Sequence, residues 1–170
     1  LNKLAAATGS EVVAADVTST EDLENLFNIA EEKFGKIDFV LHSIGMSINV
    51  RKKIHYTESN YDFYNKAMDI SAISFHRVMK IAKEKDIMNE WGSILALSYI
   101  AGQLAFPGYN DMADAKAQLE SIARNFGYYY GVDKKVRINT ISQSPTKTTA
   151  GGGIKGFDSL FGFADLQSPL

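Results

Sequence analysis

Four strand-length apolar runs, each parted from the next by a stretch with helical periodicity, constrain this chain more than any other feature. The runs are EVVAA at 11–15, KIDFVLHSIG at 36–45, SILALS at 93–98 and VRINTIS at 136–142. The second runs into a turn at Gly45, and the fourth alternates as a strand should. Between them, residues 20–34 place Leu23, Leu26, Phe27 and Ala30 on one helical face. A longer stretch, 60–85, carries Phe63, Ala67, Ile70, Phe75, Val78 and Ile81, and a third helix is expected over about 109–130. Such alternation predicts an α/β fold, a doubly wound, mainly parallel sheet with helices on both faces. The 170 residues are enough for one domain spanning 1–170.

Local punctuation agrees. LNKLAAATGS reads as helix, Thr18 or Thr20 as the cap of the next helix, and Gly35 as its αL terminator. The polar stretch 47–59 reads as a surface loop. The tail 143–163 is rich in Thr and Gly and reads as helical only near GFDSLF.

Composition excludes several function classes. A net charge of -2 offers no electrostatic case for nucleic acid or anionic lipid. Tyr128, Tyr129 and Tyr130 have no basic stripe beside them, so helix packing is a better reading than base stacking. Without cysteine there is neither a disulfide framework nor a thiolate metal site, and His42, His55 and His76 are too scattered for a zinc cluster. No apolar run approaches the roughly 20 residues that span a bilayer. A cytoplasmic protein with no membrane and no nucleic-acid partner is expected.

In sheets of this kind the ligand crevice lies at the carboxyl ends of the strands. Asp16, Ser43, Ile44, Gly45, Ser98, Tyr99 and residues 142–148 all fall at or just after such ends. The helix after SILALS begins YNDMADAK, with Tyr109 and Lys116 seven positions apart. That spacing puts both on nearly one helical face, displaced by about 10 Å along the axis. The residues alone leave two readings open: an ammonium working with a phenol near a diol ligand, or a core tyrosine beside a solvated lysine. A carbonyl-reducing short-chain dehydrogenase would carry its lysine four positions after the tyrosine, where this chain has Ala113.

LSY at 97–99, YNDMADAK at 109–116, HSIG at 42–45 and PTKT at 145–148 occur in an order and spacing that resemble one family. It is that of the bacterial and plastid enoyl-acyl carrier protein reductases, a divergent branch of the short-chain dehydrogenase/reductase superfamily. The resemblance covers essentially the whole chain. It implies a Rossmann-like sheet and NADH-dependent reduction of the trans-2 double bond of enoyl-acyl carrier protein thioesters in fatty-acid elongation, with NADPH as the alternative donor. By that resemblance Tyr109 donates to the thioester oxygen, Tyr99 is a second donor or positioning group, and Lys116 binds the nicotinamide ribose. Asp16 and Val17 meet the adenine, and Ser43, Ile44 and Gly45 line the adenosine and ribose region. Thr146, Lys147, Thr148, Thr149 and Ala150 contact nicotinamide and pyrophosphate. Ser47, Met112, Ile154 and Phe157 join the two tyrosines around the substrate, and Gly151 to Gly153 read as the hinge of a lid.

The same resemblance implies a homotetramer. It also places the glycine-rich turn of the first βαβ unit and the terminal strand outside this chain, so that the sheet is expected to be incomplete at both ends. SQSPTKT lacks the glycine that many members carry directly before the proline. The alternatives are a carbonyl-reducing dehydrogenase and a catalytically silent nucleotide-binding protein.

Overall fold

The computed structural model describes residues 2–146, 161, 162 and 164–166. A short helix α1 (Asn2–Thr8) leads to α2 (Thr20–Phe34), then strand β1 (Ile37–His42) and a single turn of helix, α3 (Ile48–Arg51). Helices α4 (Tyr61–Met68) and α5 (Ser74–Glu84) are joined without a break by a π-turn at Asp69–Ile73. Strand β2 (Met88–Ser98), the long helix α6 (Asp111–Lys134) and strand β3 (Arg137–Ser142) follow.

Helix α2 forms where its apolar spacing predicts, and Leu23 and Phe27 are buried on its inner face. Its cap is Ser19, between the two threonines expected to serve. Ser19 holds extended dihedrals, and its side chain accepts from the Asp22 N–H at 3.2 Å, taking one of the donors a helix start leaves unpaired. Gly35 ends the helix at φ 67°, where a side chain would be strained, and returns its N–H to Glu31. Replacing Ser19 by Ala is expected to lower the unfolding free energy by about 1 kcal/mol. The shift would appear in the urea midpoint at an unchanged slope.

The three strands lie parallel in the order β1-β2-β3. Register aligns Val40, Ile94 and Ile138 in one row and His42, Ala96 and Thr140 in another. Ile94 and Ala96 are buried under α5 and α6, in a core with Leu23, Phe27, Phe75, Met79, Leu119 and Ala123, and Val40 and Ile138 pack against it. The alternate rows point away. Phe39, Leu41 and Ile141 remain 53%, 50% and 45% exposed, so among the described residues α2, α5 and α6 cover one face of the sheet.

Besides the cap of α2, and the helices expected on both faces, of which the described ones cover one, two further expectations change. Residues 11–15 are not a strand, because a strand needs a neighbour to take its N–H and C=O groups, and no described strand lies beside this stretch. The segment 47–59 is not a plain surface loop. It holds α3 and a 3₁₀ turn at Tyr56–Glu58, and Ser47, Asn49 and Val50 are buried.

Candidate active site

Strand β1 ends at His42, while Ser98 and Ser142 are register partners at the ends of β2 and β3. The segments that follow therefore leave from one edge of the sheet. Tyr99 follows β2 directly, and a loop returns the chain to Tyr109 just ahead of α6. The two rings meet at 4.9 Å between centroids and 51°, with Phe106 edge-on to Tyr99 at 5.4 Å. Both tyrosines are half-buried. Burial, assisted by Tyr99, pushes the Tyr109 phenol up to about 12, so it remains a protonated donor at neutral pH.

Lys116 lies two turns along α6 and is buried, with its Nζ donating to the Leu97 carbonyl at 2.6 Å. Burial lowers its pKa to about 8. No carboxylate pairs with it among the described residues, which leaves an ammonium with donors to spare in a partly desolvated place. Lysine and phenol are thus two separate groups, one within α6 and one just ahead of its bent start rather than on one helical face as expected, without a hydrogen bond between them among the described contacts.

The strand end of β1 reaches this helix through Gly45. A Cβ there would stand 3.2 Å from Met112 Cε, 3.8 Å from Lys116 Nζ and 3.9 Å from Ser71 Oγ. The absence of a side chain matters chiefly to the Met112 methyl, since contact with the lysine and the serine would be of ordinary van der Waals length. Ser71 belongs to the π-turn, takes the Met46 N–H at 2.9 Å and lies 3.6 Å from Met112 Sδ. π-Turns inside helices often mark functional sites, and this one sets Ile70 and Ser71 at the crevice.

An open cleft of about 650 Å³ lies beside this edge, walled by Ala14, Ala15, Asp16, Val17, Asp22, Ile44 and Ile70. Asp16, Val17 and Ile44 thus line one cleft. The exposed Asp16 carboxylate accepts from the Thr18 N–H at 2.8 Å and its hydroxyl at 2.7 Å, and these bonds hold its pKa down. The slot is mainly apolar with a carboxylate acceptor at its lip, and Gly45, next to its Ile44 wall, stands near the Lys116 ammonium; these are the residues that could hold an adenine dinucleotide.

Ser43 is exposed at the same edge, and Met112 is buried against Gly45 and Ser71. Thr146 is exposed, with its hydroxyl on the Ser144 carbonyl. Ser47 is turned inward: its hydroxyl donates to Asp111 at 2.6 Å and accepts from Val50 N–H at 3.0 Å, so it serves as a cap and a tether. Lys147, Thr148, Thr149, Ala150, Ile154, Phe157 and the three glycines of the expected lid hinge lie outside the described residues. His42, given no role from its sequence position, is buried with Nε2 2.8 Å from Ser74 Oγ. Since Ser74 donates to Ile70, the histidine must carry its proton on Nε2. Burial, then Lys116, lowers it to about 4, so it is neutral.

Sequence reasoning missed two buried carboxylates. Glu120 accepts from Ser98 Oγ at 2.6 Å and Gln103 at 3.2 Å, tying the end of β2 to the turn after Tyr99. Asp111 accepts from Ser47 and Asn49. In the sequence, Asp111 reads as an ordinary acidic residue in a first helical turn, and its partners lie more than sixty positions away.

A family model described as enoyl-(acyl carrier protein) reductase matches residues 1–170. The chain is 37% identical over 155 residues to enoyl-acyl-carrier-protein reductase (NADH) 1 of Rhizobium meliloti strain 1021, covering 91% of this chain and 56% of that protein. It superposes on the crystal structure of a FabI–NADH complex from Alistipes finegoldii with a TM-score of 0.95 at 60% identity, covering 99% of this chain and 60% of that one. The Bacillus cereus enoyl-acyl carrier protein reductase, solved with NADP+ and an indole naphthyridinone, gives a TM-score of 0.86 at 32% identity, covering 95% of this chain and 62% of that one. The chain spans between half and two thirds of the length of these relatives.

Proposed function

The chain belongs to the enoyl-(acyl carrier protein) reductase family, and from that premise we propose that it carries the catalytic portion of an enzyme that reduces the trans-2 double bond of enoyl-acyl carrier protein thioesters. NADH is the proposed donor, supported by the relatives named for it; the cofactor supplies hydride to the β-carbon.

The observation that carries this reading is the pairing of two phenols at 4.9 Å on the crevice edge, one of them held firmly protonated. As the β-carbon takes hydride, negative charge grows on the thioester oxygen. Tyr109 donates its hydrogen bond there and keeps its proton, since its pKa lies well above neutrality. Tyr99 packs against that ring and limits its rotation, and its own hydroxyl is the second donor. A prepositioned donor in a water-poor site is worth about 3–4 kcal/mol of barrier.

Lys116 binds the ribose hydroxyls, with Leu97 holding the arm that presents its ammonium. Asp16, Val17, Ser43, Ile44 and Gly45 hold the adenosine half, and Thr146 to Ala150 the nicotinamide end. Met112, Ile154 and Phe157 wall the acyl chain. Ser47 supports that wall through its tether to Asp111 rather than by touching substrate. Cytoplasmic location and a homotetramer complete the proposal. Tyr128, Tyr129 and Val132, 67%, 65% and 74% exposed along α6, are apolar surface that subunit contacts would cover.

The test follows absorbance loss of NADH and of NADPH with crotonyl and longer enoyl thioesters beside a panel of ketones. Oxidation with the enoyl substrates is expected. Turnover of ketones alone would transfer the chain to the carbonyl-reducing alternative, and cofactor binding without any turnover would favour the silent nucleotide-binding one.

A further inference from the structure

Asp111 is fully buried two residues after Tyr109, yet no cation pairs with it among the described residues. Its carboxylate is spent on structure. Oδ1 accepts from Ser47 Oγ at 2.6 Å, and Oδ2 accepts from Asn49 Nδ2 at 2.9 Å. Asn49, also fully buried, continues the chain of bonds by donating to the Asn60 carbonyl and accepting the Asn60 N–H, both at 3.1 Å. Ser47 caps α3 and Asn60 caps α4. One carboxylate therefore binds the starts of two helices to the start of a third.

Neighbouring bonds act in the same direction. Asn110 sits at φ 46°, a conformation that costs energy even for asparagine, and its side-chain amide is held by the Ile54 carbonyl. One turn on, Asp114 Oδ2 accepts from Tyr56 OH at 3.0 Å and Tyr64 OH at 2.9 Å. The backbone carrying Tyr109 is thus bent sharply at residue 110 and then pinned from 111 onward by side chains of 47–64. That bend sets where Tyr109 presents its ring to Tyr99 and Phe106, because among the described residues its backbone bonds are local: its N–H reaches Phe106, and its carbonyl takes the Met112 N–H.

We propose that Asp111 is a positioning residue for the reaction proposed above, fixing the phenol of Tyr109 against Tyr99 by clamping segment 47–60 to the first turn of α6. It touches neither substrate nor cofactor and acts through Tyr109. Burying a carboxylate is costly unless every acceptor is used, and here both oxygens are used. Favourable interaction with the α6 N-terminus adds to this.

A double-mutant cycle tests the clamp, resting on the enoyl reductase reading for its assay. Asp111→Ala is expected to lower kcat with crotonyl thioester about 10- to 100-fold, since small misplacements of a catalytic group are costly. In a Tyr109→Phe background the same change is expected to cost less than about twofold, because the group it positions is already gone. Asp111→Asn is expected to restore most of the rate: its oxygen can accept from Asn49 while its amide donates to Ser47. A primary isotope effect with 4-deuterated NADH should rise in Asp111→Ala, as hydride transfer slows. A loss of active fraction would leave it unchanged. If Asp111→Ala does not fold, Asn49→Ala takes its place in the cycle. Equal losses in both backgrounds, or no loss at all, would overturn the positioning role. A wild-type protein inactive on enoyl thioesters but active on ketones would instead overturn the reaction on which it rests.

Discussion

Replacing Tyr109 by Phe is expected to lower turnover of an enoyl thioester by about 100- to 1,000-fold, the effect of deleting one donor to a developing oxyanion. The dissociation constant for NADH should stay within about twofold of the wild-type value. The substitution removes one hydroxyl and keeps the ring, so the packing with Tyr99 and Phe106 survives. Because burial holds the phenol up to about 12, its ionisation lies outside the working range. The pH profile of kcat should therefore show no break assignable to Tyr109 between about pH 6 and 10. Unchanged turnover in Tyr109→Phe would remove the enolate-donor role. A rate break in that interval that disappears with the hydroxyl would mean the phenol works as an acid or base instead.

Lys116→Met is expected to move binding and stability in opposite directions. Loss of charge-assisted hydrogen bonds to a diol, each worth about 1.5–3 kcal/mol, should weaken NADH binding roughly 10- to 100-fold. Stability of the cofactor-free protein should hold or rise, because Met fills similar space without a buried ammonium. The sign follows from the depressed pKa. Between about 8 in the folded protein and the ordinary 10.5, the unfolded chain holds a proton that the folded one has released. The contribution of Lys116 to folding therefore becomes more favourable as pH rises from 8 toward 10.5, and the charged form costs stability below that window. Cofactor affinity should run the other way, weakening as pH rises through about 8, with the dependence abolished in Lys116→Met. A variant less stable than wild type with undiminished NADH affinity would mark Lys116 as structural only.

Local pattern was enough for the longer helices and three of the strands, but not for α3 or the 3₁₀ turn within 47–59. Periodicity located α2, the long α4–α5 helix and α6, and apolar runs located β1, β2 and β3, because side-chain period is set by local backbone geometry. It misread 11–15, whose apolar character suits a strand but whose pairing depends on a neighbour that local pattern does not report. The cap of α2 shifted by one residue to Ser19 for a smaller reason: three adjacent hydroxyls compete, and geometry selects one.

The candidate site divides along the same line. Tyr99, Tyr109 and Lys116 were legible as candidates, from a strand end and a tyrosine–lysine spacing, while the roles given to them came from the family resemblance; the structure puts Tyr109 just ahead of α6 and Lys116 within it. Their order along the chain, by itself, already separated this protein from relatives with the lysine one turn after the tyrosine. Only the tertiary structure decided which side chains hold that pattern in place. Asp111 lies 64 and 62 positions from Ser47 and Asn49 across the clamp, and the first residue of a helix and a polar run look solvated until the fold buries them together. The same holds for Gly45, whose missing Cβ matters because the Met112 methyl stands beside it. Sequence determines local conformation and chemical type through interactions between neighbours in the chain. Burial, desolvation and long-range hydrogen bonds belong to the packed arrangement, and they decide which phenol stays protonated, which ammonium is left unpaired and which carboxylate becomes a clamp.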